Sequence, residues 1–298
     1  MPNISDEKED CGYFMELRDI ETRLARTTTV PILPHLVTQI LRLTDNPNAH
    51  ARDYERLIIQ DAGMAAKVLR TANTPYFGGG GQITTLQRAL IQLGDNTVRS
   101  ICLTVAFQSS LMTKSFNKRF NVGRFWQHSL AVACAAKILA RLRRNPLAEE
   151  AFVAGLMHDL GKLVIAMLLP LEANLIYNLV EVQQMSDYEA EQQTLGLTHQ
   201  EIGRLAAERW CLPGIYFDPI AKHHTPTEDV FEIDPLTAFV HIGNALAHEI
   251  DMGFSPPGNV NRADPLVLDF LEIPEAQYDP IRTAVLKEVL IVSKQMGL

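Results

Sequence analysis

Residues 151–169, AFVAGLMHDLGKLVIAMLL, set His158, Asp159 and Lys162 in a stretch that is otherwise almost wholly apolar. An imidazole and a carboxylate in such surroundings each need a partner, because leaving a buried polar group unpaired costs roughly 1–3 kcal/mol and a charged one more. Partners of the right type recur along the chain: His128 in FWQHSLAVACAAKIL, His199 in THQEIGRLAAERW, and the adjacent His223 and His224 that close LPGIYFDPIAKHH. Imidazole and carboxylate together suit borderline divalent ions, iron or manganese first and zinc as well. Five histidines and an aspartate are too many for one tetrahedral centre. If all six converge, the arrangement expected is a pair of octahedral ions bridged by Asp159, which would polarise a phosphoryl oxygen and acidify a bound water. Lys162, one turn after His158, would share its face and could hold a phosphate charge.

Any one histidine on an apolar helix is ordinarily a hydrogen-bonded core residue. The case for a site rests on the set, five of nine histidines on four segments between residues 128 and 224. His35, His50 and His248 read as ordinary surface or cap residues. His241 stays open, three residues before Asn244 on the same helical face.

The elements that must position these groups are helices throughout. Residues 1–12 read as a disordered N-terminus, and helical periodicity begins near Tyr13. VPILPHL brings Pro31 and Pro34 in an extended approach to a helix that stops at Asn46-Pro47. Asp61 is a plausible N-cap before GMAAKVLRTANTPYF. The glycine run at 78–81 reads as an inter-helix loop, lacking both the Lys-Ser/Thr and the preceding strand of a phosphate loop. Thr84 or Thr85 caps LQRALIQLG, Gly94 stops it, and Asp95 opens a long apolar helix to about Met112. Residues 13–120 thus form an N-terminal bundle of five or six short helices, and 121–298 a second helical unit with longer, histidine-bearing helices. Thr198 with Glu201 has capping-box form and puts His199 in a first turn. No strand alternation occurs, so the expected class is all-α.

With 298 residues, 47% hydrophobic and 21% charged, the chain has ample material for a core. No apolar run is expected to reach the roughly 18–20 residues of a membrane span, since Lys162 interrupts the longest. The acidic start MPNISDEKED is unlike a signal or transit peptide. Four scattered cysteines without CxxC spacing fit a reducing, cytoplasmic setting. A net charge of -8 argues against a nucleic-acid surface, and the basic block at 141–144 fits a solvated helix end.

The string GLMHDLGK resembles the signature of the HD superfamily of metal-dependent phosphohydrolases. More closely, VPILPHLVTQILRLTDNP, IIQDAGMAAKVLRTANTPYFGG, ITTLQRALIQLG and THQEIGRLAAERWCLPGIYFDPIAKHH together resemble the HDOD domain, the HD-related output domain of bacterial signalling proteins, from roughly Val30 to Thr225. The resemblance implies a helical N-terminal subdomain packed on an HD-like one. It also implies a regulator that is mostly non-catalytic, working through signalling proteins or a nucleotide-type ligand. Unlike the family's usual decayed ligand set, this sequence keeps His128, His158, Asp159, Lys162, His199, His223 and His224, much of what HD-GYP phosphodiesterases use for two metals. It lacks the GYP tripeptide after the paired histidines, where TPTED stands, and its counterpart of the family's later aspartate is Asn244. An Asn carbonyl can coordinate a cation but brings no charge. The resemblance therefore favours a metal-binding regulator with a degenerate site, with a phosphohydrolase of nucleotides or cyclic dinucleotides as the alternative.

Overall fold

The computed structural model describes residues 22, 39–40, 42–43, 46, 49, 51–59, 62–74, 83–113, 117–210, 212–226, 233–253 and 262–296. The N-terminal stretch 1–12, the helix expected from Tyr13, the Pro31–Pro34 approach, Asp61, His35, His50 and the glycine run at 78–81 lie outside them. Among the described residues every regular element is helical and no strand occurs, so the fold is all-α as expected.

Among the helices with described bounds, the first four are α1 (Ala51–Ile59), α2 (Ala62–Ala72), α3 (Leu86–Leu93) and α4 (Asp95–Thr113). Thr85 caps α3, its hydroxyl accepting from the Arg88 N–H at 3.1 Å. Gly94 ends it at φ 82, a conformation that costs a residue with a Cβ dearly. Next come α5 (Val122–Leu142), α6 (Ala148–Met157), α7 (Leu160–Leu168), α8 (Pro170–Gln183), α9 (Asp187–Leu195) and α10 (His199–Arg209). A 3-10 turn (Gly214–Tyr216) then leads into α11 (Phe217–Lys222), α12 (Pro235–Glu249), α13 (Pro265–Phe270) and α14 (Glu275–Met296).

Helix α5 is the axis of the packing, with α6, α12 and α14 laid against it. It is buried nearly all round, from Phe125 and Trp126 through a run of alanines to Ala140. The small residues are what permit this. A Cβ on Gly155 of α6 would lie 2.8 Å from the Ala133 Cα, and one on Gly243 of α12 would lie 3.1 Å from the Val132 carbonyl oxygen. Backbones in near contact leave little freedom to slide, so His128 on α5 keeps a fixed register to residues of α6 and α12. Arg99 of α4 pairs with Glu150 of α6 in a buried contact, which ties the leading helices to the helix that ends at His158. One connected core of buried apolar side chains runs from Ile40 to Val292.

Two sequence expectations change here. Residues 151–169, whose unbroken apolar pattern predicts a single helix, form two, because α6 stops at Met157 and α7 starts at Leu160. The His158 ring Nδ1 lies 2.8 Å from the Gly155 carbonyl, competing for an acceptor that the helix ladder would use, and Lys162 N–H bonds back only three residues to the Asp159 carbonyl at 3.0 Å. The second change concerns apolar length. Ala148–Leu168 spans 21 residues with mean hydropathy 1.6, enough on composition to cross a membrane despite Lys162, yet 89% of its apolar window is buried within the protein. Its hydrophobicity is accounted for by the core.

Candidate metal centre

The break at His158-Asp159 turns both side chains into one place. In a continuous helix, neighbours point about 100° apart. Here the His158 Nε2 lies 3.4 Å from Asp159 Oδ2, and His128 Nε2 reaches the same oxygen at 3.5 Å from α5. On the other side of the carboxylate, Oδ1 lies 3.4 Å from His199 Nε2 and 3.6 Å from His223 Nε2. His224 Nε2 is 3.1 Å from His199 Nε2. The structure thus brings together His128, His158, Asp159, His199, His223 and His224, from four separate stretches of sequence. They form two groups sharing Asp159: His128, His158 and Asp159, and Asp159, His199, His223 and His224. Within each group one ligand atom per residue lies within 4.8 Å of the others, and either could hold a metal ion.

Local sequence explains how each ring is presented. His199 opens α10 behind a capping box made by Thr198 and Glu201. Glu191 of α9 accepts from both the His199 backbone N–H at 2.7 Å and its Nδ1 at 2.6 Å. Gly161 has no side chain to hold α10 away: a Cβ there would fall 1.8 Å from the His199 carbonyl oxygen. His223 and His224 stand just past α11, and the His223 Nδ1 turns back to the Pro219 and Ile220 carbonyls, each at 3.1 Å. His128 Nδ1 donates to the Met252 carbonyl at 3.1 Å. With Nδ1–H engaged on an acceptor in His128, His158, His199 and His223, the Nε2 lone pairs all face inward; this tautomer is assigned from the acceptors.

Lone pairs and a carboxylate facing one another repel unless something positive lies between them. His158 Nε2 and Asp159 Oδ1 are buried with no hydrogen-bond partner, and so is the Asn244 Oδ1 on α12. Orphaned acceptors around a carboxylate are the condition a divalent ion would satisfy, so the residues fit a metal.

Protonation agrees with that role. Burial opposes charge on Asp159, yet His158, Lys162 and His128 outweigh it and hold its carboxyl well below the usual range. Burial pushes His128 and His224 down and takes His223 down to about 3, against the pull of Asp159. Lys162 is buried too, but Asp159, Asp187 and Glu191 raise it, so it stays an ammonium. Neutral His128, His223 and His224 beside an ionised carboxylate are the ligand forms a metal requires.

Lys162 Nζ sits 2.9 Å from Asp159 Oδ2 and 3.3 Å from Asp187 Oδ2. It therefore reaches the cluster, already engaged by two carboxylates. His241 has a structural role. Its Nδ1 donates to the His223 carbonyl at 2.8 Å while its Nε2 accepts from the Asp264 N–H at 2.9 Å, tying the paired histidines to the start of α13.

His248 departs from the expectation of an ordinary surface or cap residue. Its ring stands edge-on to that of His128, centroids 5.2 Å apart, the same separation as between His128 and His158. Burial, then His128 and Lys162, push it down to about 3. A signal was present in the sequence: His248 lies one turn after Asn244, on the face that α12 turns to α5. Glu191 was missed altogether, since nothing in a polar stretch singles out one glutamate among four.

A pH dependence follows from the depressed histidines. The unfolded chain takes up protons on such rings near pH 6.5 and the folded chain only near 3, so their contribution to stability is whole above 6.5 and shrinks as pH falls below it. At pH 5.5 the His223 and His248 rings together should lower the unfolding free energy by about 3 kcal/mol relative to pH 7.5. Urea unfolding of chelator-treated protein at the two pH values measures this, and equal midpoints would refute it.

The HDOD domain family model matches residues 30–226. The chain belongs to the HDOD domain family. It is 24% identical over 272 residues to an uncharacterised protein of Treponema pallidum (strain Nichols), an alignment covering 88% of this chain and 51% of that one, so it spans about half the length of that relative. Among solved structures, an HDOD domain protein of unknown function from Geobacter sulfurreducens superposes with a TM-score of 0.73 at 24% identity, covering 90% of this chain and 96% of that one. A Shewanella amazonensis protein provisionally named a phosphohydrolase superposes at 0.71 with 22% identity, covering 93% and 97%. At these identities the solved structures show the fold.

Proposed function

We propose that this chain is a cytoplasmic bacterial signal-transduction module of the HDOD type that binds a divalent ion at its histidine–aspartate cluster and acts through contacts with a protein or small ligand rather than by turnover. In this reading residues 13–120 serve as the N-terminal subdomain and 121–298 as the HD-like one. His128, His158, Asp159, His199, His223 and His224 are the candidate metal ligands, with Asn244 a weak one. Iron or manganese suits this nitrogen and oxygen donor set, and zinc is compatible with it.

One observation carries the preference for a regulator over an enzyme. Lys162, the group a phosphohydrolase would turn to a substrate phosphate, is buried with its ammonium held by Asp159 and Asp187. Asn244 and the missing GYP point the same way. The alternative, a metal-dependent phosphohydrolase acting on a nucleotide or cyclic dinucleotide, is supported by the six ligand groups converging on one carboxylate. In that case Lys162 would release a carboxylate to meet the phosphate.

The test is elemental analysis of untagged protein purified without oxygen, beside His158→Ala, followed by a panel of nucleotide phosphodiesters and monoesters with the metal-loaded protein. The regulator reading expects bound metal in the native protein, a lower melting temperature in the variant, and no turnover. Metal-dependent hydrolysis abolished by His158→Ala would establish the enzyme instead.

A further inference from the structure

The two oxygens of Asp159 are not equivalent. Oδ2 carries the Lys162 ammonium at 2.9 Å, with Asp187 behind it at 3.3 Å. Any cation bound to Oδ2 between His128 and His158 would share that oxygen with a fixed positive charge at contact distance, in a buried setting where Coulomb repulsion is weakly screened. Asp159 is the one carboxylate of that group of possible ligands, so no second negative charge compensates there. Oδ1 has no hydrogen-bond donor, and three ring nitrogens gather beside it: His199 Nε2 lies 3.3 Å from His223 Nε2 and 3.1 Å from His224 Nε2.

The support behind the rings differs in the same sense. His128, His158 and His223 donate Nδ1–H to backbone carbonyls, whereas His199 donates to the carboxylate of Glu191, a side chain buried in the protein. A carboxylate behind an imidazole fixes its tautomer and raises the basicity of the opposite nitrogen, which strengthens it as a ligand. Glu191 also accepts the His199 backbone N–H, so ring and backbone are held by one oxygen.

We propose that the cluster is a one-ion centre: its seat lies among Asp159 Oδ1 and the Nε2 atoms of His199, His223 and His224, Glu191 is the positioning residue of that seat, and Lys162 supplies at Oδ2 the charge a second ion would bring. This rests on the metal-binding reading above and narrows it from the pair of ions expected from sequence. His128 and His158 then line the Lys162 side of the carboxylate without holding an ion of their own.

Cobalt(II) titration of the chelator-treated full chain, read by ligand-field absorption with elemental analysis of the bound fraction, tests it. The native protein should take up one tight equivalent. His224→Gln should lose that equivalent, Lys162→Met should admit a second, and Glu191→Gln should weaken the first at least tenfold and displace its absorption band, with Glu191→Asp restoring part of both. Two tight equivalents in the native protein overturn the one-ion centre and leave metal binding standing, while none overturns the metal-binding reading itself. Retention of the equivalent in His224→Gln places the ion on the wrong oxygen, a conclusion that holds even if Lys162→Met does not fold. An unchanged affinity and band in Glu191→Gln removes Glu191 from its role.

Discussion

Gly161→Ala should cost about 3 kcal/mol of stability or more, an unusually large penalty for adding one methyl group. The added Cβ would stand 1.8 Å from the His199 carbonyl oxygen, 2.7 Å from its carbonyl carbon and 2.9 Å from the Gly203 backbone nitrogen. All three are backbone atoms, so no rotamer change relieves the contact, and α7 and α10 must separate. That separation pulls His199 away from Asp159, so metal retention should fall together with stability. Gly214→Ala is the control, since a Cβ there meets nothing within 4 Å. Urea unfolding of the two variants beside the native protein decides the matter. A Gly161→Ala midpoint matching that of Gly214→Ala would mean the two helices are not in the contact described.

Asp159→Asn should be nearly as damaging, for an electrostatic reason. The variant keeps the shape but removes the negative charge on which the Lys162 ammonium and the surrounding rings converge. Breaking a buried charge pair by deleting one partner typically costs about 3–5 kcal/mol, and Asp187 at 3.3 Å should moderate this towards the lower figure. Bound metal should be lost entirely. The double variant Asp159→Asn/Lys162→Met should regain much of the stability and none of the metal, because the stranded ammonium is gone while the ligand is still missing. If Asp159→Asn retained native metal content, Asp159 would not be the shared ligand.

The sequence disclosed the helical class and the convergence because both rest on residue type and spacing. A histidine and an aspartate in an apolar run require partners, and capping boxes announce where helices start, as Thr198 and Glu201 do. Geometry on the scale of a single turn stayed hidden. The interruption at His158-Asp159 leaves no mark in composition, because the apolar pattern continues through it. Glu191 was illegible because its partner, the His199 ring, is met only after a tight turn at Gly196. His248 reads as a surface residue in the sequence because its burial comes from α5, which packs against α12 from far away in the chain. His241 stays open in the sequence because one histidine that ties two backbones looks there the same as one that ligates.

The small-residue packing of α6 and α12 against α5 bears also on how the centre comes into being. Apart from the neighbouring pairs His158-Asp159 and His223-His224, the inward-facing groups are far apart along the chain, and they meet only after α5, α7, α10 and α11 have docked. During synthesis the carboxylate emerges before any of the rings beside its Oδ1, and the last of those rings follows only after α11 has been made. The unfolded chain therefore offers an ion no comparable site. An ion that binds only the folded form shifts the equilibrium towards it, by about 2.7 kcal/mol when free metal is a hundredfold above its dissociation constant. Metal supply would in that way set how long a finished chain persists against proteolysis.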